Sequence, residues 1–542
     1  MTDIAILPSV TDFLASPRRL LIGGEWRDAL DGRTFDSIDP ATEEVIASVS
    51  RAGAADVDAA VTAARRAFED GSPWQRFTPR QRARLLWRMA DLLEENADEF
   101  AQLESFDNGK PFSTARDGDV ATAAELFRYF AGWATKIEGT SIPMSSEIRQ
   151  FHAYTRREPV GVVAGIVPWN FPLVMACFKV IPALTAGNTM VLKPAEQTPL
   201  SALRLGELFL EAGLPEGVLN VVPGFGDAGA ALSSHRDVDK VAFTGSTEVG
   251  KKIVAAAGGN LKKVSLELGG KAPNIVFADA DLEAAVTGSA HAAFFNQGQC
   301  CVNGSRLYVQ REVFDDVVAG ISRIAQRIRV GGAFDPETEM GPLISDEQYT
   351  KVMGYLTAGV DEGARVTAGG DRVGERGYFV RPTVFTEVSE QMSIQQEEIF
   401  GPVVTAVPFD TEDEAIALAN ATRYGLAAGV WSRDIGTAHR VGGRLRAGTV
   451  WLNTWHADDV TLPRGGYKGR VGGASWARSV STTTRSSRPS SPNSDRATRP
   501  HSCRVGVTRL NAAPRGGRGF ARWQPRRARV SRFGRGTRAR AA

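Results

Sequence analysis

The chain has 542 residues, 43% hydrophobic and 23% charged, long enough for two or three domains with large cores and too apolar to be disordered throughout. It has no run of about 18 uncharged apolar residues, and its start shows no basic patch followed by an apolar stretch, so neither a membrane span nor a secretory signal is visible and a cytoplasmic protein is expected. Four cysteines, two of them adjacent (Cys300, Cys301), are too few for a disulfide framework and point to reduced thiols. The six histidines (His152, His235, His291, His439, His456 and His501) show no metal-binding spacing, so no metal is expected.

The formal net charge of +2 conceals a division after Lys468. Residues 469–542 hold 18 Arg, no Lys and one acid, Asp495, whereas residues 1–468 carry a net charge of −15. The tail is rich in Arg, Ser, Gly and Pro and poor in aliphatics, so it buries too little to offset the entropy of ordering it.

In chain order, apolar spacing near 3.6 predicts helices over 54–69 and 80–104. Short β-branched or aliphatic runs at 160–167, 189–192, 218–222, 241–243 and 264–266 read as strands, with helices between them at 200–211 and 247–257. These are repeated βαβ units of a doubly wound α/β plan. A second alternation follows, with strands at 274–277, 306–309, 403–408 and 429–431 and helices at 282–295, 314–328 and 411–421. The segment 148–157 lies between helical and strand patterns and reads as an arm projecting from the core.

Three local patterns carry chemistry. Phe295-Asn296-Gln297-Gly298-Gln299-Cys300-Cys301 places a glycine before a thiol at a helix end, where the backbone approaches a ligand closely; an inert buried thiol is the competing reading. Leu266-Glu267-Leu268-Gly269-Gly270-Lys271 ends an apolar strand on one carboxylate, fit for a general base, with a salt bridge to Lys271 or another cation as the alternative. Val167-Pro168-Trp169-Asn170-Phe171-Pro172 closes another strand with an amide able to donate to a developing oxyanion.

Together, and from about Leu21 to Lys468, these patterns closely resemble the aldehyde dehydrogenase superfamily. The resemblance implies an aldehyde dehydrogenase-like α/β fold: a Rossmann-type cofactor domain over 20–137 and 159–268, an oligomerisation arm over 138–158, and an α/β catalytic domain over 269–468. It implies Cys301 as nucleophile, Glu267 as general base, and Asn170 with the Cys301 backbone amide as oxyanion donors. The expected reaction is NAD-dependent oxidation of an aldehyde through a thiohemiacetal and a thioester, which water hydrolyses to the acid.

For NAD, Gly224-Phe225-Gly226-Asp227-Ala228-Gly229 fits GxGxxG, but a lone match is weak. The resemblance points instead to Phe243-Thr244-Gly245-Ser246, where Ser246 opens a helix whose first amides suit a pyrophosphate, and it leaves Gly226 to the adenosine side. It also implies Ile166, Pro168 and Trp169 along the cleft, Lys193 and Glu196 on the adenosine ribose, Glu398 and Phe400 at the nicotinamide ribose and ring, and weaker ribose contacts from Gln348 and Lys351. Glu196 favours NAD, because a carboxylate repels a 2′-phosphate. An apolar tunnel of Phe171, Met175, Phe294, Phe295, Trp455 and His456 is expected above Cys301, with plain core packing the competing reading for each aromatic and the favoured one for Phe294. The residues 259–280 and 290–305 are most similar to phenylacetaldehyde dehydrogenases and the betaine-aldehyde and retinal types beside them, so phenylacetaldehyde or a similar hydrophobic aldehyde is the expected substrate.

The resemblance breaks near Lys468. Similar enzymes continue into Arg-Glu, a helix and a final strand that pairs with a neighbouring subunit's arm in a homodimer or homotetramer. GC-rich codons for Ala474-Ser475-Trp476-Ala477-Arg478, read one base out, spell Arg-Glu-Leu-Gly-Pro, which suggests a frameshift. The second expectation is therefore a catalytically impaired, aggregated or nucleic-acid-associating product, its +17 tail suiting phosphate backbones. A CoA-acylating enzyme is disfavoured, because Glu267 is present to hydrolyse the thioester.

Overall fold

Alternating β-branched strands and amphipathic helices assemble into two parallel sheets covered by helices, as the sequence pattern predicts. The computed structural model describes residues 4–142, 145, 153–462, 465–468 and 485–489. The first sheet has seven strands in the order Lys263–Glu267, Lys240–Thr244, Val162–Ile166, Thr189–Lys193, Leu219–Val221, Leu20–Ile22 and Glu25–Arg27. Its first five strands are parallel, and Leu20–Ile22, from the chain's start, pairs antiparallel with both Leu219–Val221 and Glu25–Arg27. Val162–Ile166 and Thr189–Lys193 are buried at every position, which is why they read as continuous apolar runs rather than alternating ones.

The second sheet also has seven strands: Arg365–Ala368, Thr383–Thr386, Val403–Phe409, Arg306–Gln310, Pro273–Val276, Ala427–Trp431 and Thr449–Leu452. All its pairings are parallel except that of Arg365–Ala368. The chain passes between the sheets at residues 268–272, within the segment that carries Glu267 and Gly269-Gly270.

Two departures from the sequence reading have local causes. The single helix expected over 80–104 is two, Pro79–Glu95 and Ala97–Asn108, broken at Asn96. The Asn96 amide donates to the Leu92 carbonyl at 2.8 Å, the side-chain competition with the helix ladder that makes Asn a helix ender. The helix Pro172–Thr185, absent from the pattern, is apolar on nearly every face and contains Pro182, so it shows no amphipathic stripe and carries a breaker.

Ala153–Pro159 and Ser141–Ile142 pair antiparallel and form the arm; residues 148–152 lie outside the described residues. Arg485–Pro489, inside the segment expected to lack fixed structure, forms a third strand on it, with Arg485 opposite Pro159 and Pro489 opposite Thr155 of the same chain. The rest of 469–542 lies outside the described residues. No helix among the described residues is long and apolar enough to cross a membrane.

Candidate active site

The thiol loop is shaped by backbone strain. After the helix Leu282–Phe294, Asn296, Gln297 and Gly298 all take left-handed φ values of 50°, 56° and 69°. A Cβ on Gly298 would lie 1.9 Å from the Gly401 carbonyl, so glycine is required there by contact as well as by φ. Phe400, on the facing loop, is itself left-handed at 59°. Two strained turns thus press together beside Cys301, which is partly exposed, while Cys300 is buried with its sulfur 4.0 Å from His456 Nε2.

Asn170 follows the strand Val162–Ile166 and is tied to that loop. Its Nδ2 donates to the Gln299 carbonyl at 2.8 Å; Asn296 Nδ2 donates to the same carbonyl at 3.2 Å and to the Asn170 carbonyl at 3.0 Å. The two asparagines lock the expected oxyanion loop to the thiol loop, and Asn296 was missed as a functional residue because nothing in its spacing distinguishes it from a turn. Glu267 ends Lys263–Glu267 as expected, and its carbonyl accepts from Gly245 N at 3.0 Å. The alternative partner, Lys271, is buried and donates to the Ile394 carbonyl at 2.8 Å; burial and nearby Arg306 pull its pKa down to about 7.

The expected cofactor residues fall into two groups. Ile166, Pro168 and Trp169 follow Val162–Ile166, and Phe243, Gly245 and Ser246 follow Lys240–Thr244; these neighbouring strands are where the order of the first sheet reverses, the place at which open α/β sheets bind ligands. Ser246 caps the helix Thr247–Ala257, accepting from Val249 N at 3.2 Å, and a Cβ on Gly245 would strike the Phe243 ring at 2.5 Å. Lys193 is buried, which lowers its pKa, and its ammonium donates to the Pro194 carbonyl at 2.8 Å and to Glu196 at 3.3 Å. Gly226 opens the helix Gly226–Ser234, whose Gly229 faces the Lys193 side chain, so Lys193, Glu196 and Gly226 lie together, apart from the residues around Cys301.

Across the cleft, Glu398 accepts from Gly270 N at 2.7 Å, and any side chain on Gly269 would collide with its carboxylate. Phe400 packs edge-on against Trp169, ring centres 5.3 Å apart. Gln348, expected on a ribose, donates through Nε2 to the Phe400 carbonyl at 2.8 Å and the Ile399 carbonyl at 3.1 Å, so that amide already steadies the strained turn.

One cavity of about 480 Å³ collects Cys301, Glu267, Asn170, Pro168, Trp169, Gly245, Ser246, Gln348, Lys351, Glu398 and Phe400. Phe171, Met175, Phe295 and His456 line it too, with Phe171 and Phe295 stacked at 6.0 Å. Phe294 and Trp455 do not: Phe294 belongs to the core under the second sheet, and Trp455 packs on Trp451 at 5.0 Å. Val174 and Phe178 take their places, one helical turn apart on Pro172–Thr185, a helix whose uniform apolarity hid its cavity-facing side.

The aldehyde dehydrogenase family model matches residues 26–486. The chain belongs to the aldehyde dehydrogenase family. It is 49% identical over 453 residues to mitochondrial aldehyde dehydrogenase of Homo sapiens, covering 83% of this chain and 87% of that protein. Retinal dehydrogenase 2 of Homo sapiens is 48% identical over 471 residues, covering 86% and 90%. Among solved structures, an NAD+ complex of aldehyde dehydrogenase from Bacillus cereus is 49% identical with a TM-score of 0.88, covering 90% of this chain and 99% of that one. The indole-3-acetaldehyde dehydrogenase AldA of P. syringae, solved with NAD+ and IAA, is 43% identical with a TM-score of 0.85, covering 87% and 96%.

Behind the Trp169-Asn170 loop of this aldehyde dehydrogenase lies a buried charged layer that no sequence motif marks. Lys110 is ion-paired to Asp119 and surrounded by Glu104 and Asp107; Lys110, Glu104 and Asp107 are fully buried, and Asp119 reaches the cavity edge. Burial pushes the Glu104 carboxyl up to about 7 and raises those of Asp107 and Asp119. Removing one partner of a buried pair costs about 3–5 kcal/mol, so the layer is held by mutual dependence rather than by surplus attraction.

Proposed function

We propose that the protein oxidises a hydrophobic aldehyde, such as phenylacetaldehyde, to its carboxylic acid with NAD. The observation that carries this reading is the convergence of Cys301, Glu267 and Asn170 on one cavity with aromatic walls. In this reading the Cys301 thiolate attacks the aldehyde carbon, and Asn170 Nδ2 with the Cys301 backbone amide stabilises the oxygen charge of the thiohemiacetal. Loss of the former aldehyde hydrogen as hydride leaves a thioester on Cys301. Glu267 then takes a proton from water, which attacks the thioester and releases the acid.

The residues present fit NAD. The Thr244 hydroxyl, buried in the cavity wall, has no hydrogen-bond partner among the described residues, and the Ser246-capped helix offers its first amides beside it. Ser246 and the Thr247 helix would hold the pyrophosphate, Lys193 and Glu196 one ribose, and Glu398 with Phe400 the other ribose and the ring. NAD bound there supplies the acceptor for the hydride. The Glu196 carboxylate beside Lys193 favours NAD over a phosphorylated cofactor by charge repulsion.

Phe171, Phe295, Met175, Val174 and Phe178 suit an aryl or long aliphatic group rather than a second carboxylate. Thiolate chemistry at Cys301 requires a reducing compartment, which supports the cytoplasm as its location. The arm supports a homodimer or homotetramer. The test is NADH formation from an aldehyde panel led by phenylacetaldehyde, run beside Cys301→Ala. Turnover with aryl and aliphatic aldehydes, absent in the variant, is expected; turnover only with short carboxylated aldehydes, or turnover surviving in the variant, contradicts the reading.

A further inference from the structure

The loop that carries Asn170 is gripped from behind at three points by side chains that have no role in the reaction or in cofactor binding assigned above. Asn108 Nδ2 donates to the Trp169 carbonyl at 2.8 Å, Lys110 Nζ donates to the Asn170 carbonyl at 3.4 Å, and Leu173 N donates to Glu104 Oε1 at 3.0 Å. The three gripping residues occupy seven positions at the end of the helix Ala97–Asn108 and the turn after it. That turn is itself immobilised: Gly109 is left-handed at 78°, and a Cβ there would lie 2.7 Å from both Pro40 and Pro342.

Lys110 is held in turn by Asp119 and by the Phe171 ring, 4.5 Å from its ammonium. Asp119 stands on the π-helix Ala115–Val120, a widened turn of the kind that occurs at functional sites, and it also lines the catalytic cavity. The other side of the loop is fixed by Asn296 donating to the Asn170 carbonyl. The Asn170 carbonyl is therefore shared between a charged donor from behind and the thiol loop in front.

We propose that Asn108, Lys110 and Asp119 are positioning residues for oxyanion stabilisation, holding the Trp169–Asn170 backbone so that the Asn170 amide meets the oxygen of the aldehyde bound at Cys301. None of the three touches the reacting atoms; they act only through Asn170. The account rests on the assignment of Asn170 as an oxyanion donor, and the experiment separates the two claims.

The test is a double-mutant cycle read as kcat/KM for aldehyde, with Lys110→Met and Asn108→Ala each made in native and Asn170→Ala backgrounds. Loss of one oxyanion donor costs about 10²–10³-fold, so Asn170→Ala is expected in that range and displacement of the loop by either second substitution at about 10-fold or more. In the Asn170→Ala background each second substitution is expected to change kcat/KM by less than about 2-fold, because coupled residues are not additive. Iodoacetamide alkylation of Cys301, which needs the thiolate but no oxyanion, is expected to stay within about 2-fold of the native rate.

Equal losses in both backgrounds, no loss in the native background, or slowed alkylation would overturn the proposal. Asn108→Ala leaves every charge of the layer in place, so it decides the question alone if Lys110→Met does not yield folded protein. If Asn170→Ala itself loses nothing, the oxyanion assignment fails, and the positioning proposal with it; if Asn170→Ala loses activity and the second-residue losses are additive, only the positioning proposal fails.

Discussion

The two sheets meet the cavity by opposite ends. In the first sheet the functional groups follow the strands: Pro168 and Trp169 after Val162–Ile166, Gly245 and Ser246 after Lys240–Thr244, and Glu267 at the end of its own strand. In the second sheet they precede them: Gly269 before Pro273–Val276, Cys301 before Arg306–Gln310, and Glu398 and Phe400 before Val403–Phe409. The first arrangement obeys the rule that open parallel sheets bind ligands beyond their carboxyl ends; the second inverts it. Its cost is visible in the backbone, since the left-handed Asn296, Gln297 and Phe400 all lie on the inverted side.

Each side gives the cavity both reacting groups and cofactor-holding groups, and graded substitutions sharpen the contrast between them. Cys301→Ala on the inverted side is expected to abolish NADH formation while leaving NAD binding, measured by protein fluorescence, unchanged. Asn170→Ala, which joins the two sides, is expected to lower kcat about 10²–10³-fold in steady-state assays. Glu196→Ala on the first side is expected to leave kcat with NAD within a few-fold and to raise kcat/KM with NADP by about 10-fold, as one repelled charge at partial exposure implies. A large effect of Glu196→Ala on kcat itself would contradict its assignment to the adenosine ribose.

The smallest effect concerns the buried layer behind the first side. Burial raises the Glu104 pKa from 4.5 to about 7, so the folded chain binds more protons than the unfolded one between those values. Stability is therefore expected to fall as pH rises through that window, and Glu104→Gln to flatten the fall, read as Tm against pH. An unchanged pH slope in the variant would place the proton elsewhere in the layer.

How much was legible follows the same division. The strands of the first sheet announced themselves as buried apolar runs ending in Trp169-Asn170, Gly245-Ser246 and Glu267, because a strand followed by a small or polar turn residue is a local pattern. On the inverted side thiol and glycine pointed to the Cys300-Cys301 pair, and only resemblance singled out Cys301 and found Glu398 with Phe400, since the contacts that shape them are between turns distant in sequence. Gln348 shows the limit: its position was right for the cleft, yet its amide serves the Phe400 and Ile399 carbonyls. Lys110 and Asp119 were invisible because charged residues read as surface until three carboxyls are found buried with one ammonium. Phe294 takes the core place that the sequence already favoured for it, and Trp455 takes the core alternative rather than the cavity one, as aromatic rings near a thiol are as often core as cavity.

The central claim, covalent catalysis at Cys301 completed by Glu267, is tested most directly by intact-protein and peptide mass spectrometry of Glu267→Gln mixed with NAD and phenylacetaldehyde. The account predicts about one NADH per active site in a rapid burst and an acyl adduct carried on Cys301 that outlives the burst. A burst with no adduct, or an adduct carried on Cys300 instead, would contradict it.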